Sequence, residues 1–235
     1  MNVTAPAEAS VPAEFSIFRG GPVYAVARLL GLPPGAHGLR RLGLYLGVLG
    51  WIPLAGLAFV DGVIDQGATI PFWPSIGTHV RFLLAIPLFF LAEAVFDTRA
   101  ADVLRRMVQI GLVLPRDQPV LVAAVRKAMR ARNSWLMEAA LAALTGAFIW
   151  AGLRADLPLD VSTWRANASG ELTLAGWWYT LVSMPMFQFL CWRWGWRLVI
   201  WTQLLWRLSR MDLQLIPTHP DAAGGLAILG VAHVD

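Results

Sequence analysis

The sequence has little of what soluble enzymes and secreted domains usually contain. Its single cysteine, Cys191, excludes an internal disulfide and any metal cluster built on cysteines. Charged residues make up 14% of the chain, against about 25% in a soluble domain, and Lys127 is the only lysine. No basic region followed by an apolar stretch opens the chain, so we expect no signal peptide. These absences argue against an ordinary soluble domain.

Apolar residues are what the sequence has in abundance. They make up 57% of the chain, and the mean hydropathy is +0.57. Four apolar segments stand out, at residues 42–60, 76–96, 134–153 and about 174–206, and an uncharged helix of about 20 residues is long enough to cross a bilayer. We therefore predict an all-α integral membrane protein with four transmembrane helices, the second of them kinked at Pro87.

The fourth segment is unusual in composition. Residues 177–206 contain seven of the twelve tryptophans together with Arg193 and Arg197. As a helix this stretch would extend about 45 Å, beyond the roughly 30 Å of hydrocarbon. We expect its last turns to leave the membrane.

The basic residues between the segments predict the orientation. Arginine and lysine number four in residues 1–41, one in 61–81, eight in 97–133, two in 154–174 and four from Arg193 onward. This alternation is typical of four spans with both termini in the cytoplasm. The net charge of +4 is therefore explained by membrane orientation and anionic lipid headgroups, and we expect no nucleic-acid partner.

The predicted organisation has four parts. Residues 1–13 form a disordered N-terminal tail, and residues 14–41 an interfacial amphipathic segment. Residues 42–206 form the transmembrane domain, which includes a cytoplasmic helical hairpin at 98–132. Residues 207–235 form a cytoplasmic tail.

The predicted hairpin has an apolar face and a basic face. A turn at residues 114–117 separates its two helices, and Asp117 is placed to cap the second one. Two interpretations remain open: the hairpin lies on anionic headgroups, or it docks a partner protein.

Four intramembrane charges form the first candidate site. The topology places Glu93, Glu138, Arg193 and Arg197 at one level, near the inner leaflet boundary. The arginines could reach the headgroups on their own, the four residues could form a structural ion-pair cluster, or they could line a vestibule for an anion.

A second candidate lies in the tail, at His219-Pro220-Asp221 followed by Gly224 and Gly225. Histidine and aspartate could bind a metal or perform base chemistry, but the same string also suits a capped turn. One histidine and one aspartate do not make a metal site, so we expect no metal and no cofactor.

Several strings give the chain a resemblance to a family. They are RGGPVYAVARLLGL (19–32), HVRFLLAIPLFFLAEAVFD (79–97), ARNSWLMEA (131–139) and LQLIPTHPDAAGGLAILG (213–230). In them the chain resembles uncharacterised bacterial multi-pass membrane proteins with an HPD-x-x-GGL motif and no established activity. The resemblance implies a bacterial inner membrane, and a chain that is a short version of a longer protein.

Three functional hypotheses follow. The first is a transport or channel-type component that forms a homo-oligomer, since four spans without a repeat seldom enclose a pathway. The second is a non-catalytic scaffold or sensor that recruits a partner through the hairpin. The third and weakest is a membrane enzyme that uses His219 and Asp221. On balance the sequence favours a protein that is not an enzyme.

Overall fold

A computed structural model of the chain describes residues 36–154 and 162–214, together with residues 16, 20, 21, 24, 25, 28 and 31. The predictions for the tail at 1–13 and for the motif from His219 to Gly225 lie outside these residues. In the described part, all regular secondary structure is helical, and three isolated β-bridges accompany it. The all-α class is thus confirmed there.

Five helices lie in residues 36–154 and 162–214. They are α1 at Ala36–Val60, α2 at Ile76–Gln109, α3 at Gln118–Arg132, α4 at Trp135–Arg154 and α5 at residues 174–208. Within the described residues, three helices are long and apolar enough to cross a membrane, at His37–Val60, Ile76–Gln109 and Trp135–Arg154. These apolar helices indicate a membrane-embedded protein, while the span predicted in α5 stays a prediction.

Two helices contain a π-helical turn, and each turn precedes a proline. In α2 the turn is Val80–Ala85 and Pro87 follows; in α5 the turn is Tyr179–Ser183 and Pro185 follows. A proline ring collides with the carbonyl four residues earlier in a regular α-helix. That carbonyl belongs to Leu83 or Leu181, inside the π turn in both cases, so the wider turn accommodates the proline.

Helix α2 continues past its predicted end at residue 96. Asp97, Arg99 and Asp102 do not interrupt it, because no proline or glycine occurs until Gly111, which has a φ of 75°. The first half of the predicted hairpin is thus a continuation of α2. Asp117 precedes α3 but makes no side-chain cap, and its carboxylate lies 3.4 Å from Arg116 instead.

The chain divides into two units. Unit 1 contains residues 93–134, residues 196–214 and described positions up to Ala25. Its core is apolar and comes from the amphipathic faces of α2 and α3 and from the end of α5. Most of the apolar face predicted for residues 98–132 is therefore buried in protein, at Val103, Leu104, Met107, Leu121, Val122 and Val125, whereas Val108 is half-buried and Ile110 is exposed.

Unit 2 contains residues 36–92, 135–154 and 162–195 of the described chain. Close approach between α1 and α2 depends on Gly47, where a Cβ atom would lie 2.6 Å from the Phe82 carbonyl oxygen. The buried Ser183 hydroxyl donates to the Gly50 carbonyl at 2.8 Å. Helix α4 is the least covered span, with 6% of its most apolar stretch buried.

Aromatic side chains cluster where α1 and α2 meet the loop between them. His79 lies edge-on to the Phe72 ring, with centroids 5.0 Å apart. Trp51 donates to Nδ1 of His79 at 2.8 Å, and Nε2 of His79 lies 2.9 Å from the Trp73 carbonyl oxygen. These two contacts fix a neutral imidazole with its proton on Nε2.

Candidate functional site

Helices α2 and α5 bring one carboxylate and one guanidinium together in unit 1. Arg197 Nη1 lies 2.9 Å from Glu93 Oε1, and the two side chains are 3% and 1% exposed. Removing two charges from water is costly, and the cost is offset only where the ions are paired and their remaining donors and acceptors are satisfied. The surroundings of this pair supply such partners.

The N-terminal segment provides the first of them. The Tyr24 hydroxyl donates to Glu93 Oε2 at 2.5 Å, so both carboxylate oxygens of Glu93 have a partner. Arg197 Nη2 donates to the Gly20 carbonyl at 3.0 Å, and its guanidinium carbon lies 5.7 Å from the Tyr24 ring centroid. Gly20 therefore contacts Arg197, and Tyr24 contacts both members of the pair.

Arg132, the last residue of α3, holds the same segment from another side. Its Nη1 donates to the Ser16 carbonyl at 2.6 Å. Its guanidinium also lies against Gly20, where φ is 140° and a Cβ atom would be 2.7 Å from the guanidinium carbon. Only glycine fits there without strain.

Asp97 completes the charge set one turn after Glu93, and it is 4% exposed. Burial lowers the pKa of Arg132 from its ordinary value, while the Asp97 carboxylate and the Tyr24 phenol oppose that change. Arginine stays protonated nonetheless. We call the five residues Tyr24, Glu93, Asp97, Arg132 and Arg197 the N-terminal latch.

The chemistry available to the latch is ionic. It offers two carboxylates, two guanidiniums and a phenol, and the contacts of Glu93 and Arg197 include one with each other and others with Tyr24 and Gly20. Within the described ranges, no group of three His, Cys, Asp or Glu side chains is arranged to hold a metal. The latch is built to join chain segments.

Of the four predicted charges, the structure pairs Glu93 with Arg197. Glu138 lies half-buried in the first turn of α4, and Arg193 is 1% exposed; both belong to unit 2. The predicted cluster of four therefore stays a prediction. The enzyme hypothesis depends on His219 and Asp221, outside the described residues.

Sequence reasoning missed Tyr24, Asp97 and Arg132. Asp97 carried a usable signal, since its spacing of four from Glu93 places both carboxylates on one helix face. Tyr24 and Arg132 carried none, because their partners lie 69 and 116 residues away along the chain.

A second feature of unit 1 is its exposed charge. Besides Arg105, which pairs with Asp102, four basic side chains of α2 and α3 are exposed, whereas Val103, Leu104, Leu121 and Val125 of the same helices are buried. We call this set the basic face, which consists of Arg106, Arg126, Lys127 and Arg130.

Comparison with known proteins gives no relative: no protein-family model, no curated protein and no solved structure matches the chain.

Proposed function

We propose that the protein is a non-catalytic membrane scaffold or sensor that recruits an acidic protein through the basic face of unit 1. The observation that carries this proposal is the division of α3: Leu121, Val122 and Val125 are buried, while Arg126, Lys127 and Arg130 are exposed. Because the apolar side chains Leu121, Val122 and Val125 are already packed inside the protein, the exposed basic side chains of α3 are the part of the helix that can bind a partner.

The charge balance supports an acidic partner. Residues 97–133 contain eight basic and three acidic residues, so the attraction is long-ranged and steers an acidic surface toward unit 1. Insertion of this region among lipid acyl chains would require its apolar side chains, most of which lie in the core of unit 1, with Ile110 and Val120 exposed. Attraction to anionic headgroups alone contributes about 1 kcal/mol per basic residue.

The experiment compares two pairs of exposed arginines. Arg126→Gln/Arg130→Gln removes part of the basic face, and Arg40→Gln/Arg41→Gln removes the same charge from exposed positions on α1. Both pairs lie on the cytoplasmic side in the predicted topology, so both are attracted to the same anionic headgroups. Cross-linking and co-purification from membranes should lose defined acidic proteins only in the first variant. An unchanged partner set, or equal loss in both variants, contradicts the proposal.

The proposed setting is a bacterial inner membrane crossed four times, with both termini and a helical hairpin at 98–132 in the cytoplasm. The alternation of basic residues and the length of α5 support it. Cysteines at Thr69, Asn167 and Lys127, introduced with Cys191→Ala, should test it. An impermeant thiol reagent added to spheroplasts should label positions 69 and 167 and spare 127; the reverse pattern contradicts the orientation.

A transport or channel-type component is the second candidate. The observation that favours it is the pair of buried carboxylates Glu93 and Asp97 on α2, a helix long and apolar enough to span. A homo-oligomer would supply the enclosed pathway. Flux of anions and protons into proteoliposomes should fall in Arg193→Ala/Arg197→Ala relative to Arg40→Ala/Arg41→Ala. Equal flux in the two variants contradicts transport through this site.

A further inference from the structure

Two guanidiniums meet at one tyrosine in unit 2. Arg81 Nη1 donates to the Tyr179 hydroxyl at 2.6 Å, and the Arg165 guanidinium lies over the same ring, 5.4 Å from its centroid. Tyr179 is 8% exposed and lies edge-on to the buried Trp164 ring at 5.3 Å. Two like charges therefore share a rigid aromatic support.

The two loops that the predicted topology places on the outer side contain few basic residues, so the convergence of two of these residues calls for an explanation. Residues 61–81 and 154–174 together contain three arginines, Arg81, Arg154 and Arg165. Arg154 stacks on Trp150 in α4, and the other two converge on Tyr179. Positive charge in outer loops opposes the predicted orientation of the helices, so membrane orientation does not explain these arginines.

Carboxylates do not account for the pair. In residues 36–154 and 162–214, no acid forms a salt bridge with Arg81 or Arg165. Two acids of the adjoining loops have other partners: Asp61 accepts from the Ala175 amide at 2.9 Å, and Glu171 accepts from Asn167 Nδ2 at 2.9 Å. Among the acids that the structure describes, none therefore forms a salt bridge with the positive charge at Tyr179.

The Tyr179 hydroxyl, which accepts from Arg81, has only a weak acceptor for its own proton. The Tyr179 hydroxyl directs its proton to Met184 Sδ at 3.6 Å, and Arg81 Nη1 lies 3.9 Å from the same sulfur. A thioether is a weak acceptor. An anionic oxygen in the position of the flexible Met184 side chain would accept from both donors and be strongly preferred.

We propose that Arg81, Tyr179 and Arg165 form a binding site for a phosphate-type oxyanion. Guanidinium groups match the geometry of phosphate oxygens, and the phenol adds a third donor. Arg81 and Tyr179 lie in the two π-helical turns, a feature frequent at functional sites. Free phosphate and the phosphate of a lipid headgroup share this chemistry.

The test uses purified protein in a maltoside detergent, which contains no phosphate. Thermal stability is measured against inorganic phosphate, and native mass spectrometry counts retained phosphatidylglycerol. The variants are Arg81→Gln, Tyr179→Phe and Arg165→Gln. Arg154→Gln is the matched control, because it removes an arginine that also stacks on an aromatic ring of unit 2.

Apparent affinity should fall roughly tenfold in Arg81→Gln and several-fold in Tyr179→Phe, with Arg154→Gln unchanged. Stabilisation by inorganic phosphate would identify a soluble anion, and retention of phosphatidylglycerol alone would identify a lipid. If Arg81→Gln does not fold, the phosphate and lipid binding of Tyr179→Phe and Arg165→Gln decides whether the site exists. Absence of both responses in the wild type, or equal weakening in the control, overturns the proposal.

Discussion

Arg197 and Glu93 form an ion pair at 2.9 Å in which neither side chain is more than 3% exposed. Because each ion depends on the other for compensation, Glu93→Gln or Arg197→Gln alone should lower the free energy of unfolding by about 3–5 kcal/mol. The double variant should lose clearly less than the sum of the single losses, as measured by thermal unfolding in detergent.

The exposed pair Arg116–Asp212, 3.6 Å apart, provides the control. Arg116→Gln should leave stability unchanged, because exposed pairs contribute little. Strict additivity of the two latch substitutions would mean that the buried ions act independently.

Tyr24 should hold the N-terminal segment on unit 1. Tyr24→Phe keeps the ring but leaves Glu93 Oε2 without the hydroxyl, a loss of about 1.5–3 kcal/mol for a hydrogen bond to a charged group. We expect faster cleavage before residue 30 in limited proteolysis. Tyr45→Phe, at a position 59% exposed, is the control. Equal cleavage of the two variants would show that Tyr24 does not hold the N-terminal segment in place.

His79 should exist as the neutral tautomer with its proton on Nε2, which nitrogen NMR of labelled histidine can observe. His79→Phe leaves Trp51 Nε1 without its acceptor at 2.8 Å, and should cost about 1–3 kcal/mol. His37→Phe, at an exposed position on α1, should be neutral. A proton on Nδ1 is incompatible with the bond from Trp51.

Asp61 should stabilise the start of α5, because its carboxylate accepts from the Ala175 amide and lies at the positive end of the helix. Asp61→Ala should lower the free energy of unfolding by about 1 kcal/mol, and Asp61→Asn by less. Asp65→Ala, in the same loop and exposed, should have no effect. Identical melting curves for the two alanine variants would contradict this role.

The sequence predicted the helical class and the positions of the apolar helices, because hydropathy and length depend on local composition alone. The start of α5 at Leu174 agrees with the predicted segment. The continuation of α2 to Gln109 was missed. The charged residues after residue 96 were interpreted as the end of the helix, whereas they mark only a change in the environment of a helix that continues. Charge marks where a helix leaves an apolar environment, and glycine or proline marks where it stops.

The candidate sites were less accessible to prediction. Glu93 and Arg197 could be singled out, because charge in an apolar segment is conspicuous. Their pairing also depends on Tyr24 and Gly20, which are far away in sequence and have no distinctive composition. The Arg81–Tyr179 contact was missed for the same reason, since it joins residues 98 positions apart.

The π-helical turns have a consequence for how side chains are phased along the two long helices. Each such turn holds one more residue than an α-helical turn, so the following side chains are rotated by about 100° from the positions that an uninterrupted α-helix would give. A helical wheel drawn from Leu174 therefore assigns the faces of residues 184–195 incorrectly. Deleting one residue from Tyr179–Ser183 would change helix length by little while turning every later side chain to a different neighbour.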